Sequence, residues 1–190
     1  MVTMDHNVKT DAELVADSLA GDRDAFGQLY DRHARYVRAV VAAVSSDWPA
    51  VEDMTQECFL RAFRKLDTLR DHDRVGAWLA GFARQVARER RRSLHRNRHE
   101  FGTADEFAAA NGTPPPFDRD QIEQVLHRLT QLPEDERLAI HAHFFTDRNA
   151  DAVAAQLEIS RSSYYALLQR ALARLATRTL PLQPKRETTT

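Results

Sequence analysis

Apolar residues recur three or four positions apart along most of the chain, which is the spacing of one buried helix face. This pattern predicts helices at residues 11–20, 22–44, 49–66 and 74–98, and a second group of helices at residues 119–180. A short helix, a three-residue turn and a longer capped helix end that second group. The sequence therefore predicts an all-α fold of two small helical domains, a bundle and a helix-turn-helix unit, joined by a flexible linker.

Composition places the boundaries of these domains. Residues 1–10 are polar and are predicted to form a disordered N-terminus, and residues 11–98 form the first predicted domain. Residues 99–118 contain two glycines and three consecutive prolines without a coherent apolar stripe, so we expect a linker there. The second predicted domain covers residues 119–180, and residues 181–190 are expected to be a tail.

Polar residues in front of the apolar stripes mark the predicted helix starts. Asp11 is the expected N-cap of the first helix, Asp22 or Asp24 opens the second, and Ser160 caps the last. The stripes also predict that several large residues are buried: Phe63, Phe144, Tyr164 and Leu172.

The predicted helix at residues 74–98 combines an apolar stripe with a large excess of positive charge. Its stripe consists of Val75, Trp78, Leu79, Phe82 and Val86. Seven arginines stand against one acid from Arg84 onward, whereas a surface helix normally mixes both signs. Two interpretations stay open: a solvated basic face, or a helix that contacts the phosphates of a nucleic acid.

The predicted helix at residues 49–66 presents Asp53, Gln56 and Glu57 together on its exposed side, beside Leu60. Such a pair of acids is either a solvated face or a docking patch for a basic partner. It is a poor metal site, because no histidine or third carboxylate stands at matching spacing.

Overall composition restricts the possible functions. The net charge is −1, so any nucleic-acid surface must be local rather than a property of the whole molecule. The single Cys58 excludes an intrachain disulfide and fits a reducing compartment. The chain shows neither the apolar core of a signal peptide nor a run of apolar residues long enough to span a membrane, so we expect a cytoplasmic protein.

Charge separates the last helix from the rest of the second domain. Residues 160–180 carry four arginines and no acid, whereas residues 119–158 carry four arginines and eight acids. Only the last helix is therefore expected to approach DNA favourably. Glu158 stands where helix-turn-helix motifs usually have glycine, at a cost of about 1 kcal/mol if its backbone is left-handed.

The run from Glu52 to Ser93 resembles region 2 of bacterial RNA polymerase sigma factors, in the extracytoplasmic-function (ECF) group of the sigma-70 family. The shared pattern is an acidic helix, a short loop, and a Trp-Leu helix that leads into a basic tract. The residues that carry it are Glu52, Asp53, Gln56, Glu57, Phe59, Leu60, Ala62, Phe63, Trp78, Leu79, Ala83 and Arg84.

This resemblance implies two binding surfaces in the first domain. The first would dock on the clamp helices of the polymerase β′ subunit, through Asp53, Gln56, Glu57 and Leu60. The second, together with the loop at residues 67–74, would open the promoter −10 element and hold a flipped base. Its residues are Arg74, Arg84, Gln85, Arg88, Arg91 and Arg92.

The second domain resembles sigma region 4, in the stretches LPEDERLAIHAHFF and AVAAQLEISRSSYYALLQRALARL. The resemblance implies a −35 surface on the last helix, formed by Arg161, Ser162, Ser163, Tyr165, Gln169 and Arg170. The implied partners are core RNA polymerase, through its β′ clamp helices and β flap, promoter DNA and an anti-sigma factor, without membrane insertion.

The sequence offers no converging site for catalysis, because it lacks a phosphate-binding glycine loop and a nucleophile motif. His141 and His143 stand two residues apart, so a regular helix cannot direct both at one metal. We expect no enzyme activity, cofactor or metal. Two alternatives to a sigma factor stay open: a polymerase-independent helix-turn-helix regulator, and a sigma mimic that binds polymerase or an anti-sigma protein without initiating transcription.

Overall fold

The computed structural model describes residues 9–45, 47–101, 119–145 and 150–177. These residues form eight α-helices and two short 3-10 turns, without a strand among them, so the predicted all-α class is confirmed. The α-helices are α1 (Asp11–Leu19), α2 (Arg23–Ser45), α3 (Val51–Arg64), α4 (Val75–Phe101), α5 (Arg119–Thr130), α6 (Glu134–Phe145), α7 (Ala150–Gln156) and α8 (Arg161–Thr177). The 3-10 turns are Leu66–Thr68 and His72–Arg74.

The observed helix starts correct one predicted cap. Thr10, not Asp11, is the N-cap of α1, because its hydroxyl accepts the backbone N–H of Glu13 at 3.2 Å while the Glu13 carboxylate accepts the N–H of Thr10 at 2.7 Å. Asp11 lies inside the helix instead, 2.8 Å from Nε2 of His33. Asp22 opens α2 as predicted, since its carboxylate accepts the N–H of Asp24 at 2.9 Å.

The predicted linker at residues 99–118 begins later than expected. Helix α4 continues to Phe101, so the first three of those residues are helical. The remainder of that linker lies outside the described residues, as do residues 1–8 of the predicted N-terminal segment and the predicted tail at residues 181–190.

Two helices, α2 and α6, each contain a segment that is buried on every side. Residues 39–45 of α2 and residues 136–142 of α6 are all buried. A helix that is buried all round needs neighbours all round. Helix α2 packs against α1, α3, α4 and α6, and α6 packs in turn against α7 and α8. The two helical units therefore pack together through α2 and α6 and share one continuous core.

Three of the residues that were expected to be buried are not. Phe63 is 48% exposed, Phe144 60% and Leu172 45%, whereas Tyr164 is fully buried as predicted. Phe63 rests edge-on against Phe26, with the ring centroids 4.9 Å apart, and its outer side faces solvent. Within the described part of the chain, no helix is both long and apolar enough to cross a membrane.

Candidate functional surfaces

Helix α4 holds five of the six predicted −10 residues along one side because its apolar stripe anchors the other, and the sixth, Arg74, ends the 3-10 turn just before the helix. Val75, Leu79 and Val86 are buried, with Trp78 and Phe82 partly buried against the same core. The predicted residues all reach the surface: Arg84 is half-buried, and the exposed ones are Arg74, Gln85, Arg88, Arg91 and Arg92. Gln85 donates to Glu89 one turn further along the helix, at 3.0 Å.

Three of these arginines pair with acids of the second helical unit. Arg74 donates to Glu158, with Nη2 2.5 Å and Nε 3.1 Å from the same carboxylate oxygen. These hydrogen bonds raise the pKa of Arg74 above its usual value. Arg84 and Arg88 lie 3.5 and 3.6 Å from the two oxygens of Glu134, at the start of α6. The arginine surface is therefore continuous with the contact between the two units.

The predicted docking face lies on α3, where Asp53, Gln56 and Leu60 are exposed. Glu57 belongs to the same face, but it is committed to an ion-pair network. Its Oε1 accepts from Nε of Arg61 at 2.7 Å, and Nη1 of Arg61 donates to Glu89 of α4 at 2.8 Å. The same hydrogen bond lowers the pKa of Glu89. Asp53 is thus the freer of the two acids.

Phe63 extends this face, although the sequence pattern placed it in the core. It follows Leu60 by three residues, so the two side chains lie on neighbouring turns of one helix surface. Both are about half exposed, at 51% and 48%. The predicted docking face consequently has acids at its N-terminal end and an apolar patch at its C-terminal end.

Helix α8 presents the six predicted −35 residues, Arg161, Ser162, Ser163, Tyr165, Gln169 and Arg170, all on its exposed side. Ser160 caps this helix as predicted, because its hydroxyl accepts the N–H of Ser163 at 3.1 Å. Arg161 lies over the Tyr165 ring, 5.8 Å from the centroid, and 3.2 Å from the Asp151 carboxylate.

The turn between α7 and α8 contains a strained residue. Glu158 has φ = 55°, so its backbone is left-handed and the condition for the predicted steric cost is met. A glycine would adopt this conformation without steric cost, yet glutamate is present, and its carboxylate binds Arg74. The side chain at the turn therefore has a contact that glycine could not provide.

The two histidines of α6, His141 and His143, contact aromatic side chains of the protein. His141 is buried with its ring centroid 5.0 Å from that of Trp48, and burial lowers the pKa of His141 to about 4. Nδ1 of His143 lies 3.0 Å from the hydroxyl of Tyr164, whose pKa burial raises to about 12. No metal-ligand cluster is found within the described ranges.

Sequence reasoning missed two buried polar residues that join the helical units. Arg137 is buried, and its Nε donates to the carbonyl of Ala43 in α2 at 2.6 Å. Tyr36, also buried, donates its hydroxyl to the carbonyl of Gln156 at the end of α7, at 3.0 Å. One feature of the sequence did indicate that α2 is covered on more than one side. Residues 39–44 read Ala-Val-Val-Ala-Ala-Val, a run that is apolar on every helix face.

Each of the two helical units matches the sequence model of a known protein family. The sequence model of Sigma-70 region 2 matches residues 29–97, and that of Sigma-70, region 4 matches residues 122–175. The probable RNA polymerase sigma factor RfaY of Xanthomonas campestris is 32% identical over 161 residues, which are 81% of this chain and 40% of that protein. The chain therefore spans less than half of that relative.

Other relatives match over most of both chains. The ECF RNA polymerase sigma factor SigL of Mycobacterium tuberculosis is 27% identical over 168 residues, 85% of this chain and 92% of that protein. The solved structure of CnrH in complex with the cytosolic domain of CnrY has a similar fold, with a TM-score of 0.53 and 24% identity, covering 89% of this chain and 96% of CnrH. Since the two matched regions cover most of both helical units, and the relatives matched over most of their length are ECF sigma factors, the chain belongs to the ECF group of the sigma-70 family.

Proposed function

We propose that this protein binds core RNA polymerase and directs promoter-specific transcription initiation through −10 and −35 elements. The observation that carries the proposal is the presence on one chain of an acidic and apolar face on α3, an arginine surface on α4, and a capped helix-turn-helix unit. A polymerase-independent regulator would use only the last of these surfaces. A sigma mimic would use only the first.

In this proposal, residues 11–98 form the polymerase-binding and −10 unit, and residues 119–180 form the −35 unit. Asp53 and Gln56 meet the β′ clamp helices, with Leu60 as the apolar anchor. An exposed aliphatic side chain ringed by polar groups is the usual composition of an interface centre. Acids at the rim favour the approach of a basic partner and increase the association rate more than the affinity.

In this proposal, Glu57 contacts the polymerase by giving up its ion pair with Arg61. Its carboxylate is held by Arg61, so docking a basic helix on this face competes with an existing ion pair. Exposed ion pairs of this kind contribute at most about 1 kcal/mol, so the exchange is easily reversed. We therefore rank Asp53 above Glu57 as the electrostatic contact.

Two arginine-bearing surfaces contact the promoter in this proposal. On α4, Arg84, Arg88, Arg91 and Arg92 contact backbone phosphates near the −10 element, with Arg74 and Gln85 at the same surface. On α8, Arg161 and Arg170 contact phosphates while the neutral polar residues Ser162, Ser163, Tyr165 and Gln169 face base edges. Phosphate contacts position a protein on DNA, and groove contacts to base edges supply sequence preference. The N-terminal residues of a recognition helix are those that enter the major groove.

The remaining partners follow from the family. Region 4 units contact the polymerase β flap, and we propose the same for this chain. CnrH was solved together with the cytosolic domain of another protein, CnrY. We propose that an anti-sigma factor likewise holds this chain until it is needed, and that the chain acts in the cytoplasm, as a transcription factor rather than an enzyme.

Run-off transcription with core RNA polymerase from the source cell tests the function. The templates are a pool of upstream regions from the same genome, with and without the protein. Initiation at discrete start sites supports the proposal. Polymerase binding without initiation would instead favour a sigma mimic, and DNA binding without polymerase binding would favour a stand-alone regulator.

A further inference from the structure

Gln85 is the one uncharged residue among the six assigned to the −10 element. The other five are arginines, whose guanidinium groups donate hydrogen bonds but cannot accept them. A carboxamide offers an acceptor oxygen beside a donor NH2 group, which is a pattern that reads the edge of a base. Gln85 is exposed on α4. It is therefore the residue of this set that can accept a hydrogen bond from a base.

The amide of Gln85 is held in one orientation by its neighbour on the next turn of α4. Its Nε2 donates to Oε1 of Glu89 at 3.0 Å. Hydrogen bonds from Arg61 first and from Gln85 second lower the pKa of Glu89, so this side chain is an anion at neutral pH. A carboxylate only accepts hydrogen bonds, so it binds the NH2 side of the amide and repels the oxygen. The Gln85 oxygen consequently lies on the side away from Glu89.

Glu89 is itself held from α3. Nη1 of Arg61 donates to its second oxygen, Oε2, at 2.8 Å, so the two oxygens of Glu89 have partners on different helices. Nε of Arg61 donates to Glu57 at 2.7 Å, which holds the guanidinium from its other side. Glu57, Arg61 and Glu89 line one groove together with residues of α3 and α4. A series of hydrogen bonds between two helices thus ends at the Gln85 amide, unlike an isolated pair on one helix surface.

The orientation of the amide has a consequence for the base that it meets. Its oxygen accepts from an exocyclic amino group, which adenine and cytosine carry. Thymine and guanine have a carbonyl oxygen at the equivalent position, so two acceptors would face each other. The negative charge of Glu89 behind the amide acts in the same direction, because it attracts amino hydrogens and repels a carbonyl oxygen.

We propose that Glu89, braced by Arg61, is a positioning residue that fixes the Gln85 amide with its oxygen toward the promoter. The protein consequently favours adenine or cytosine over thymine or guanine at one position of the −10 element. The inference rests on the proposed function, because it names the base chemistry that the same surface reads. Glu89 acts through Gln85 and does not itself contact DNA.

Base substitution in the −10 element tests the preference. The run-off start sites define a promoter, and fluorescent fork-junction DNA with its non-template −10 strand unpaired is titrated with core polymerase bound to the full chain. Each −10 position carries each of the four bases in turn. At one position, adenine or cytosine should bind at least about fivefold more tightly than thymine or guanine, and Gln85→Leu should lower this ratio below about twofold. A preference for thymine or guanine at the position that Gln85→Leu affects would overturn the proposal.

Glu89→Gln separates positioning from packing. Glutamine has nearly the shape of glutamate but both donates and accepts, so it lets the Gln85 amide turn over. The ratio should fall below about twofold, and combining Glu89→Gln with Gln85→Leu should lower it no further than Gln85→Leu alone. The control Asp31→Asn, at an exposed acid of α2, makes the same change in charge and should keep the wild-type ratio. A wild-type ratio in Glu89→Gln, or a further loss in the double variant, would show that Glu89 does not act through Gln85.

Arg61→Met tests the brace, because it leaves Gln85 and Glu89 in place but removes the donor to Oε2. Its ratio should lie between those of wild type and Glu89→Gln, and a wild-type ratio would show that Arg61 does not brace Glu89. Each ratio is measured within one holoenzyme, so a change in affinity for core polymerase cancels. A wild-type holoenzyme without base preference at any −10 position contradicts the proposed function as well, whereas a preference that survives Glu89→Gln contradicts this inference alone.

Discussion

Nε of Arg137 donates to the carbonyl oxygen of Ala43 at 2.6 Å, although 94 residues separate them in the chain. Nη1 of the same guanidinium donates to the carbonyls of Thr130, at 3.3 Å, and Leu132. Ala43 lies in the last turn of α2 and Thr130 ends α5, so one buried cation satisfies carbonyls at the ends of two helices. Burial lowers the pKa of Arg137, but an arginine this far above neutrality stays charged.

Arg137→Met should therefore destabilise the protein strongly. The substitution keeps an apolar stem of similar length but leaves buried carbonyls without donors. We expect a loss of about 2 to 4 kcal/mol in the free energy of unfolding, measured by urea denaturation. The exposed Arg23→Met is the control and should change stability by less than about 0.5 kcal/mol. A loss of similar size in both variants would contradict the capping role.

Charge reversal at Asp53 should weaken binding to core polymerase. Asp53→Arg is expected to reduce the affinity at least about tenfold, since it places a cation against a basic partner in place of an anion. Leu60→Ser should weaken binding through loss of the apolar anchor. Asp31→Arg, an exposed acid on α2, is the matched control. If Asp53→Arg binds core polymerase as tightly as wild type in a pull-down titration, this face of α3 is not part of the interface.

Glu57 offers a graded comparison on the same helix. Glu57→Arg removes an anion that is already paired with Arg61, and it also leaves Arg61 with Glu89 alone. We expect its effect on polymerase binding to be smaller than that of Asp53→Arg. The reverse order in the same titration would show that Glu57 is the primary contact.

The arginine surface should control promoter opening and its salt dependence. Arg91→Ala/Arg92→Ala removes two exposed cations that lie outside the contact with Glu134. We expect polymerase binding to be retained, while opening of the −10 region, followed by permanganate footprinting, is impaired. The slope of log affinity against log salt should fall by about one for each phosphate that the variant no longer neutralises. If promoter opening and the salt dependence of the affinity are both unchanged, this face is only a solvated basic surface.

The strained turn can be tested by comparing two substitutions at one position. Glu158→Gln and Glu158→Gly both remove the charge that binds Arg74, but only glycine relieves the left-handed backbone. Glu158→Gly should therefore be more stable than Glu158→Gln by about 1 kcal/mol, from thermal unfolding of the two variants. Equal stability of the two would indicate that the conformation at this turn carries no strain.

Sequence patterning predicted the helices well because most of them have one buried side. The periodic stripes identified Val75, Leu79 and Tyr164 as core residues, and the position of Ser160 predicted its cap. These features depend only on residues within one helix. The predicted surface residues of α3, α4 and α8 follow from the same periodicity, because the apolar stripe identifies the buried side of a helix and therefore also its exposed side.

Contacts between distant segments were not predictable in this way. The sequence pattern made no prediction for Arg137, and nothing within α6 points to Ala43 as its acceptor. Thr10 rather than Asp11 caps α1, because Thr10 and Glu13 form a reciprocal pair of hydrogen bonds. The Asp11 carboxylate is bound instead by His33 and by the adjacent Arg32. Periodicity also cannot tell whether a neighbour covers the far edge of a stripe, which is why Phe63 was misplaced.

The buried His141 should make stability depend on pH. Its pKa is lowered to about 4 in the folded protein, by burial first and by the positive charge of Arg137 second, whereas an unfolded histidine titrates near 6.5. The unfolded state therefore binds more protons between these values, so the stabilisation is complete above pH 6.5 and is lost as pH falls toward 4. The full loss amounts to about 3 kcal/mol.

Denaturation with urea at a series of pH values checks this window. Among the described residues, three carboxyls also have a lowered pKa, those of Asp11, Glu13 and Glu89. Their ordinary values are 3.8 for Asp11 and 4.5 for the two glutamates, so their contribution is lost only at more acidic pH. His141→Phe keeps a ring beside Trp48 but cannot take up a proton, so its stability should change little between pH 6.5 and 4.5. A wild type whose stability is flat in that window, or a His141→Phe variant that retains the slope, would show that another group is responsible.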